Sequence, residues 1–330
     1  MSVVTIGRRL VAVVMACALF PAIAQTPASS APASIPVIVD MDIGDDIDDA
    51  FALALLVNSP EFELLGITAA WGDTGLRGQL LDRFLRETGH ADVPVGLGIT
   101  TSNPTGFTQA AYARRGGRRE NAASAVDLML QAIRARPGQV TLIALAPLTD
   151  VAAAIERDPA TFRQLKRIVM MGGSVRQGYG RSRYDAPRPP DAEYNIVQDA
   201  RAAQRVFASG VPITMMPLDS TRIRFGEIER QVLFTRGSPT TDALGLLYLQ
   251  WASAYQPWAS QTPTLFDIVP VAALLDATLC PTTPLRIEVT AEGHTREIPG
   301  RSNADVCLAS DQTRITDLMM QRLLGTTAAR

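Results

Sequence analysis

Histidine is almost missing from this chain. Its 330 residues include two, His90 and His294, and a single lysine, Lys166. General acid–base chemistry must therefore fall mainly to carboxylates. Cysteine is nearly as rare, with only Cys17, Cys280 and Cys307. No Cys/His cluster of the metal-binding type can be assembled from so few. Basic excess is lacking as well. Lys and Arg number 31 against 33 Asp and Glu, for a net charge of −2, which disfavours binding of nucleic-acid polymers. Long apolar runs are also lacking, and the nearest, Leu10–Phe20, is too short to anchor stably across a bilayer.

That short run has a different use. Arg8 and Arg9 precede it, and Ala22-Ile23-Ala24 offers small residues for cleavage before Gln25. Residues 1–24 read as a signal peptide, so the expected location is periplasmic or secreted. The twin arginine fits folded-state export loosely, and Val14-Met15-Ala16 before Cys17 is a weaker match to a lipidation site. Gln25–Ser34, rich in Ala, Pro and Ser, reads as a flexible lead-in. Losing Arg8 and Arg9 takes the net charge to −4. An oxidising compartment would permit a Cys280–Cys307 bridge if geometry allows it.

From residue 35 onward, short apolar runs alternate with helical patterns. Strands are expected at Ile35–Val39, Leu64–Ala69, Val93–Val95, Val140–Ala144, Ile168–Met171 and Ile213–Met216. Helices are expected at Ala50–Val57, Gly78–Thr88, Ala123–Arg136, Thr149–Arg157, Ala200–Ala208 and Thr240–Trp258. The alternation predicts an α/β fold, an open and mostly parallel sheet with helices on both faces. Gly173–Pro190 reads as a long loop. No repeat or linker divides residues 35–330, which are expected to form one domain.

The densest chemistry lies between the first strand and the first helix. Asp40, Asp42, Asp45, Asp46, Asp48 and Asp49 fall within ten residues. Strand ends in open α/β sheets are where ligands bind. Carboxylates this close repel unless a cation or protons neutralise them, and an all-oxygen donor set favours Ca²⁺ or Mg²⁺. A solvated acidic loop is the plainer alternative, and Asp45 and Asp46 read equally well as helix-start aspartates.

The segment Asp40–Ala50 resembles the signature DTDPGIDDA of the inosine-uridine preferring nucleoside hydrolases, in a longer variant with Ile43 where Pro is common. Four further segments follow in the family's order: Ala146-Pro147-Leu148-Thr149-Asp150, Met171-Gly172-Gly173, Ala192-Glu193-Tyr194-Asn195-Ile196 and Phe266-Asp267. The resemblance runs from about Pro36 to past Asp267. It implies the Rossmann-like nucleoside hydrolase fold and calcium-dependent cleavage of ribonucleosides to ribose and free base. By the same match, Asp42 is the base that activates water and a calcium ligand. Asp49, Asp267 and the Thr149 carbonyl complete the ligand set. Asp48, Glu193 and Asn195 read the ribose hydroxyls, with Asp40 and Asp73 in support. The family often forms dimers or tetramers. Taken singly, Thr149 could be a helix cap, Asn195 a turn residue, Glu193 a loop acid and Asp267 a helix start.

Some family positions are changed. Phe266 stands where a His commonly precedes the last ligand, Asp73 where Asn is usual, and Pro187 where an Asn is expected before Glu193. His90 and His294 read as surface and turn residues. With no proton donor at 266, activation of the leaving base is expected from stacking on Trp251, Tyr255 or Trp258, with Tyr112, Tyr179 and Tyr184 as alternative donors. Two rival functions remain. Asp40-Met41-Asp42 partly fits a haloacid-dehalogenase-type phosphatase, but Gly44 and the lone Lys166 fit it poorly. A periplasmic nucleoside-binding protein without catalysis is the other, and Asp42 argues against it.

Overall fold

The computed structural model describes residues 1–3, 34–117, 122–180, 186, 188–255 and 261–325. Nearly all of the expected signal peptide and lead-in lies outside them, as do Pro187, Tyr184, Trp258 and the side chain of Tyr255. Ser34–Arg330 forms a compact unit, and its fold is the one given below.

The first half runs β1 (Ile35–Met41), α1 (Asp48–Val57), β2 (Phe62–Ala69), α2 (Thr74–Glu87), β3 (Val95–Leu97), α3 (Ala110–Ala113), β4 (Ala123–Ser124) and α4 (Ala125–Ala135). It continues through β5 (Thr141–Ala144), α5 (Thr149–Arg157), α6 (Pro159–Phe162), β6 (Arg167–Met171), α7 (Tyr194–Val197), α8 (Ala200–Phe207) and β7 (Ile213–Met216). Then come α9 (Leu218–Thr221), α10 (Glu227–Phe234), α11 (Pro239–Tyr255) and α12 (Ile268–Leu275). The chain closes with β8 (Thr282–Leu285), β9 (Ile287–Val289), β10 (Thr295–Glu297), β11 (Ala304–Cys307) and α13 (Gln312–Leu324).

The main sheet has the order β4-β3-β2-β1-β5-β6-β7-β11-β8. Every neighbouring pair is parallel except β11–β8. β9 and β10 form a separate antiparallel pair. The open, mostly parallel sheet expected from the sequence is thus the one observed. Alternation along β1 sends Val37, Val39 and Met41 into a core with α1, α2, α12 and α13. Ile38 points into a second core with α4, α5 and α8. Helices cover both faces, as a parallel sheet requires.

Two features position the site. The chain builds outward from β1 first on one side, to β2, then returns to build β5 on the other. β1 and β5 therefore flank the switch point, and ligand sites lie beyond the carboxyl ends of such strands. The second feature is α1. After Asp48 and Asp49, every residue from Ala50 to Leu56 is buried, so the helix is apolar all round and runs through the core. Burying side chains such as Phe51, Leu53 and Leu55 is worth about 1.5–3 kcal/mol each. Such anchoring fixes the N-terminus of α1, and its two aspartates, beside the end of β1. Cys280 and Cys307, the latter at the end of β11, form a disulfide with a Cα–Cα distance of 5.6 Å, a separation natural to such bridges.

Candidate active site

Asp42 follows β1 directly, Asp48 and Asp49 open α1, and Asp267 is the N-cap of α12. All four are buried. One carboxylate oxygen each from Asp48, Asp49 and Asp267 lies within 4.8 Å of the others. Asp42 joins them, its carboxyl close enough to that of Asp49 for the two to interact. Burial pushes Asp42 up to about 6, against the opposing pull of Arg77. Burial, and then the neighbouring carboxylates, hold Asp48, Asp49 and Asp267 well above the usual carboxylate range. Asp49 Oδ1 and Asp267 Oδ1 are buried without a hydrogen-bond partner. Buried oxygens of this kind call for a cation or a proton, and the set suits a hard divalent ion. Asp48, expected only to read ribose, belongs to this oxygen cluster.

A buried arginine holds the acidic loop in shape. Arg77, fully buried in α2, donates Nε to the Trp71 carbonyl at 2.7 Å and Nη2 to Asp45 Oδ2 at 2.8 Å. Its Nη1 donates to the carbonyls of Asp42 and Ile43. Residues 98–109 strap the loop from outside. Asn103 Nδ2 donates to Asp45 Oδ2 at 2.6 Å, Thr108 Oγ1 to the Asp45 carbonyl at 2.6 Å and Gln109 Nε2 to the Asp46 carbonyl at 2.6 Å. Gly44, at φ +125°, lies under Phe107, which a Cβ would meet at 2.2 Å. Trp71 is left-handed at φ 62°, a conformation that costs a bulky residue about 1–3 kcal/mol and tends to occur near functional sites. Behind the loop, Asp40 Oδ1 accepts from Thr68 at 2.5 Å, and burial with nearby Asp150 raises its pKa.

Above this floor is a cavity of about 210 Å³. Glu193 and Asn195 line it. Glu193 caps α7, accepting from the backbone N–H groups of Gly173, Asn195 and Ile196, and burial still raises it to about 7. Asn195 Nδ2 donates to the carbonyls of Leu145 and Met171, each at 3.3 Å.

Three expectations need correction. Thr149 does not line the cavity. It opens α5, where its carbonyl is committed to the helix ladder, and its hydroxyl donates to Asp199 at 2.9 Å. Leu145, just past β5, lines the cavity in its place, and its carbonyl is the main-chain oxygen fit to serve as a ligand. Asp73 is an exposed N-cap of α2, accepting from Leu76 N at 2.9 Å, and does not reach the cavity. Trp251 is buried against the Tyr248 ring at 5.8 Å and also stays off the cavity wall. Among the described residues, the aromatic side chains lining it are Tyr179, Tyr194 and Phe266. Tyr179 meets Phe266 edge-on at 6.2 Å.

His90, after α2, and His294, in the turn between β9 and β10, stand away from the site, as expected. Tyr112 is buried with its hydroxyl on Glu87 at 2.6 Å. Lys166 is exposed before β6, at the opposite end of the strands from the acids, which removes the phosphatase arrangement. Sequence reasoning missed Arg77, Asn103, Leu145 and Tyr194. Arg77 did carry a signal, since an arginine on the buried stripe of an amphipathic helix needs acceptors.

Comparison with known proteins gives the chain a family. A model of the inosine-uridine preferring nucleoside hydrolases matches residues 37–317. The chain belongs to that family. A pyrimidine-specific ribonucleoside hydrolase, RihA, of Enterobacter sp. (strain 638) is 30% identical over 318 residues, covering 88% of this chain and 98% of that protein. An uncharacterized protein of Schizosaccharomyces pombe is 35% identical over 201 residues, covering 56% of this chain and 61% of that protein. The solved purine-preferring ribonucleoside hydrolase of Gardnerella vaginalis superposes with a TM-score of 0.76 at 25% identity, covering 88% of this chain and 98% of that one. Family membership makes this nucleoside hydrolase an N-ribosyl hydrolase.

Proposed function

We propose that this nucleoside hydrolase releases free base from ribonucleosides with a calcium ion on the acidic floor and Asp42 as the base. The observation that carries the reading is the buried group of Asp48, Asp49 and Asp267 against Asp42. Asp49, Asp267, Asp42 and the Leu145 carbonyl would hold the ion, with Asp48 beside them. When bound, the ion supplies charge neutralisation for these acids and acidity to a coordinated water. Asp42, pushed up to about 6 by burial, takes a proton from the attacking water at its carboxylate. Asp48, Glu193 and Asn195 orient the sugar by its hydroxyls. The negative floor favours the positive charge that develops on ribose as the bond breaks.

The leaving base receives no proton from residue 266, because Phe has none to give. Departure then depends on the base itself and on the aromatic wall of Tyr179 and Phe266. Base preference is open on the comparisons, since relatives of similar identity are named for pyrimidines and for purines. Export to an oxidising compartment is part of the proposal, supported by the apolar start of the chain and by the Cys280–Cys307 bridge.

The test is release of free ribose from a panel of purine and pyrimidine ribonucleosides, with and without chelator. Ribose release that stops on chelation and returns with calcium is expected. Full activity in chelator, or nucleosides returned intact after long incubation, would overturn the proposal.

A further inference from the structure

Five of the six aspartates between residues 40 and 49 are buried, and Asp46 alone is half-buried. It lines the cavity, yet stands outside the trio of Asp48, Asp49 and Asp267. Its placement is not that of a loose surface acid. Asp46 Oδ1 accepts from Ile47 N at 2.7 Å, and its carbonyl accepts from Gln109 Nε2 at 2.6 Å. From α11, the buried Trp251 comes close enough to the Asp46 carboxylate to interact with it. The preceding residue of that helix, Gln250, accepts from Tyr112 N at 2.9 Å, so α11 is tied to the end of the strap that also clamps Asp46.

A carboxylate offers about four acceptor positions and, when ionised, no donor. The Ile47 N–H takes one, and others are left for a ligand in the cavity that Asp46 lines. A ribonucleoside has two chemically different ends. Its hydroxyls suit the carboxylate floor, which leaves the flat base toward the mouth. Base edges carry N–H donors: the imide of uracil or hypoxanthine, and the amino groups of cytosine or adenine. We infer that Asp46 is a specificity residue that accepts a hydrogen bond from an N–H on the edge of the base, with Trp251 as the residue that positions it. This rests on the nucleoside hydrolase reading of the cavity. Trp251 thereby acts on the base through Asp46 and not by stacking. A site built to accept an N–H discriminates strongly against a substrate lacking it, because the acceptor is left unpaired.

The experiment compares kcat/KM for uridine and 3-methyluridine, inosine and 1-methylinosine, and nitrophenyl riboside, which has no N–H. The enzymes are the wild type, D46A, the isosteric D46N and W251F, each checked for melting temperature and bound calcium. The wild type is expected to prefer each unmethylated nucleoside over its methylated partner by at least about tenfold. D46A and D46N should lose at least about tenfold on the unmethylated substrates, and discrimination should shrink to within about threefold. Nitrophenyl riboside should fall by much less than uridine or inosine. W251F should shift in the same direction by a smaller factor. Equal losses on all substrates, or discrimination that survives in D46A and D46N, would overturn the role of Asp46 alone. Release of ribose from none of the substrates by the wild type would overturn the hydrolase reading and this inference together.

Discussion

Asp42 meets two conditions for a base at one position. It is buried enough for its pKa to rise to about 6, and it touches an acid of the cation cluster. Asp42→Asn is expected to reduce turnover by about 10²–10⁴-fold. The same change removes one like charge from a crowded site, so the melting temperature should hold or rise. Ribose-release rates and a thermal melt check both, and near-wild-type rates would assign the base elsewhere. Arg77 should show the opposite pattern, structural before catalytic. Arg77→Met strips three main-chain carbonyls of their guanidinium donor and leaves the Asp45 carboxylate with Asn103 alone. Breaking a buried ion pair costs about 3–5 kcal/mol, to be read as a lower urea midpoint at an unchanged slope. A loss below about 1 kcal/mol would show that the strap alone holds the loop.

At the scale of elements, the β1–α1 junction was the legible part of the sequence. Six aspartates between an apolar strand and an apolar helix left few other readings. The carbonyl donor was not legible in the same way. Any residue can offer a carbonyl, so the motif around Thr149 pointed near the position without selecting Leu145. The aromatic wall was misplaced for a related reason. Helical spacing cannot tell whether Trp251 faces a ligand or the Tyr248 ring, and the loop carrying Tyr179 has no period to read. β8 to β11 escaped notice because strands of three or four residues leave little pattern.

The disulfide belongs to this scale. It joins the segment after α12 to the end of β11, enclosing a loop of sequence separation 27. Replacing both cysteines by serine should cost about 2–4 kcal/mol, seen as a lower melting temperature with kcat nearly unchanged, since neither cysteine lines the active site. A large fall in kcat at temperatures where the variant is fully folded would mean that the bridge also sets the position of α12 and Asp267.

For the whole molecule, the acid cluster makes stability depend on pH and cation together. Asp42, Asp48, Asp49 and Asp267 all titrate above the ordinary carboxylate value in the folded state. An acid with a raised folded pKa keeps its proton longer folded than unfolded. Stability of the cation-free protein therefore falls as pH rises from about 4 through the raised values. Cation binding needs the deprotonated form and gains as pH rises. The difference in melting temperature between calcium-loaded and chelated protein should widen from about pH 5 to about pH 7. A difference independent of pH would mean that the ion binds away from these acids.

The floor of the cavity is assembled from segments far apart in the sequence. Asp42, Asp48 and Asp49 lie at the junction of β1 and α1, whereas Asp267 comes much later, at the start of α12. A ribosome-bound fragment that lacks Asp267 and α12 holds three of the four acids, so a cation site that needs all four is completed only after that segment is made. If the chain crosses a membrane before folding, the ion it captures is selected by the compartment it enters. Calcium is abundant outside the cytoplasm, and a site completed only there has no need to outcompete the magnesium of the cell interior.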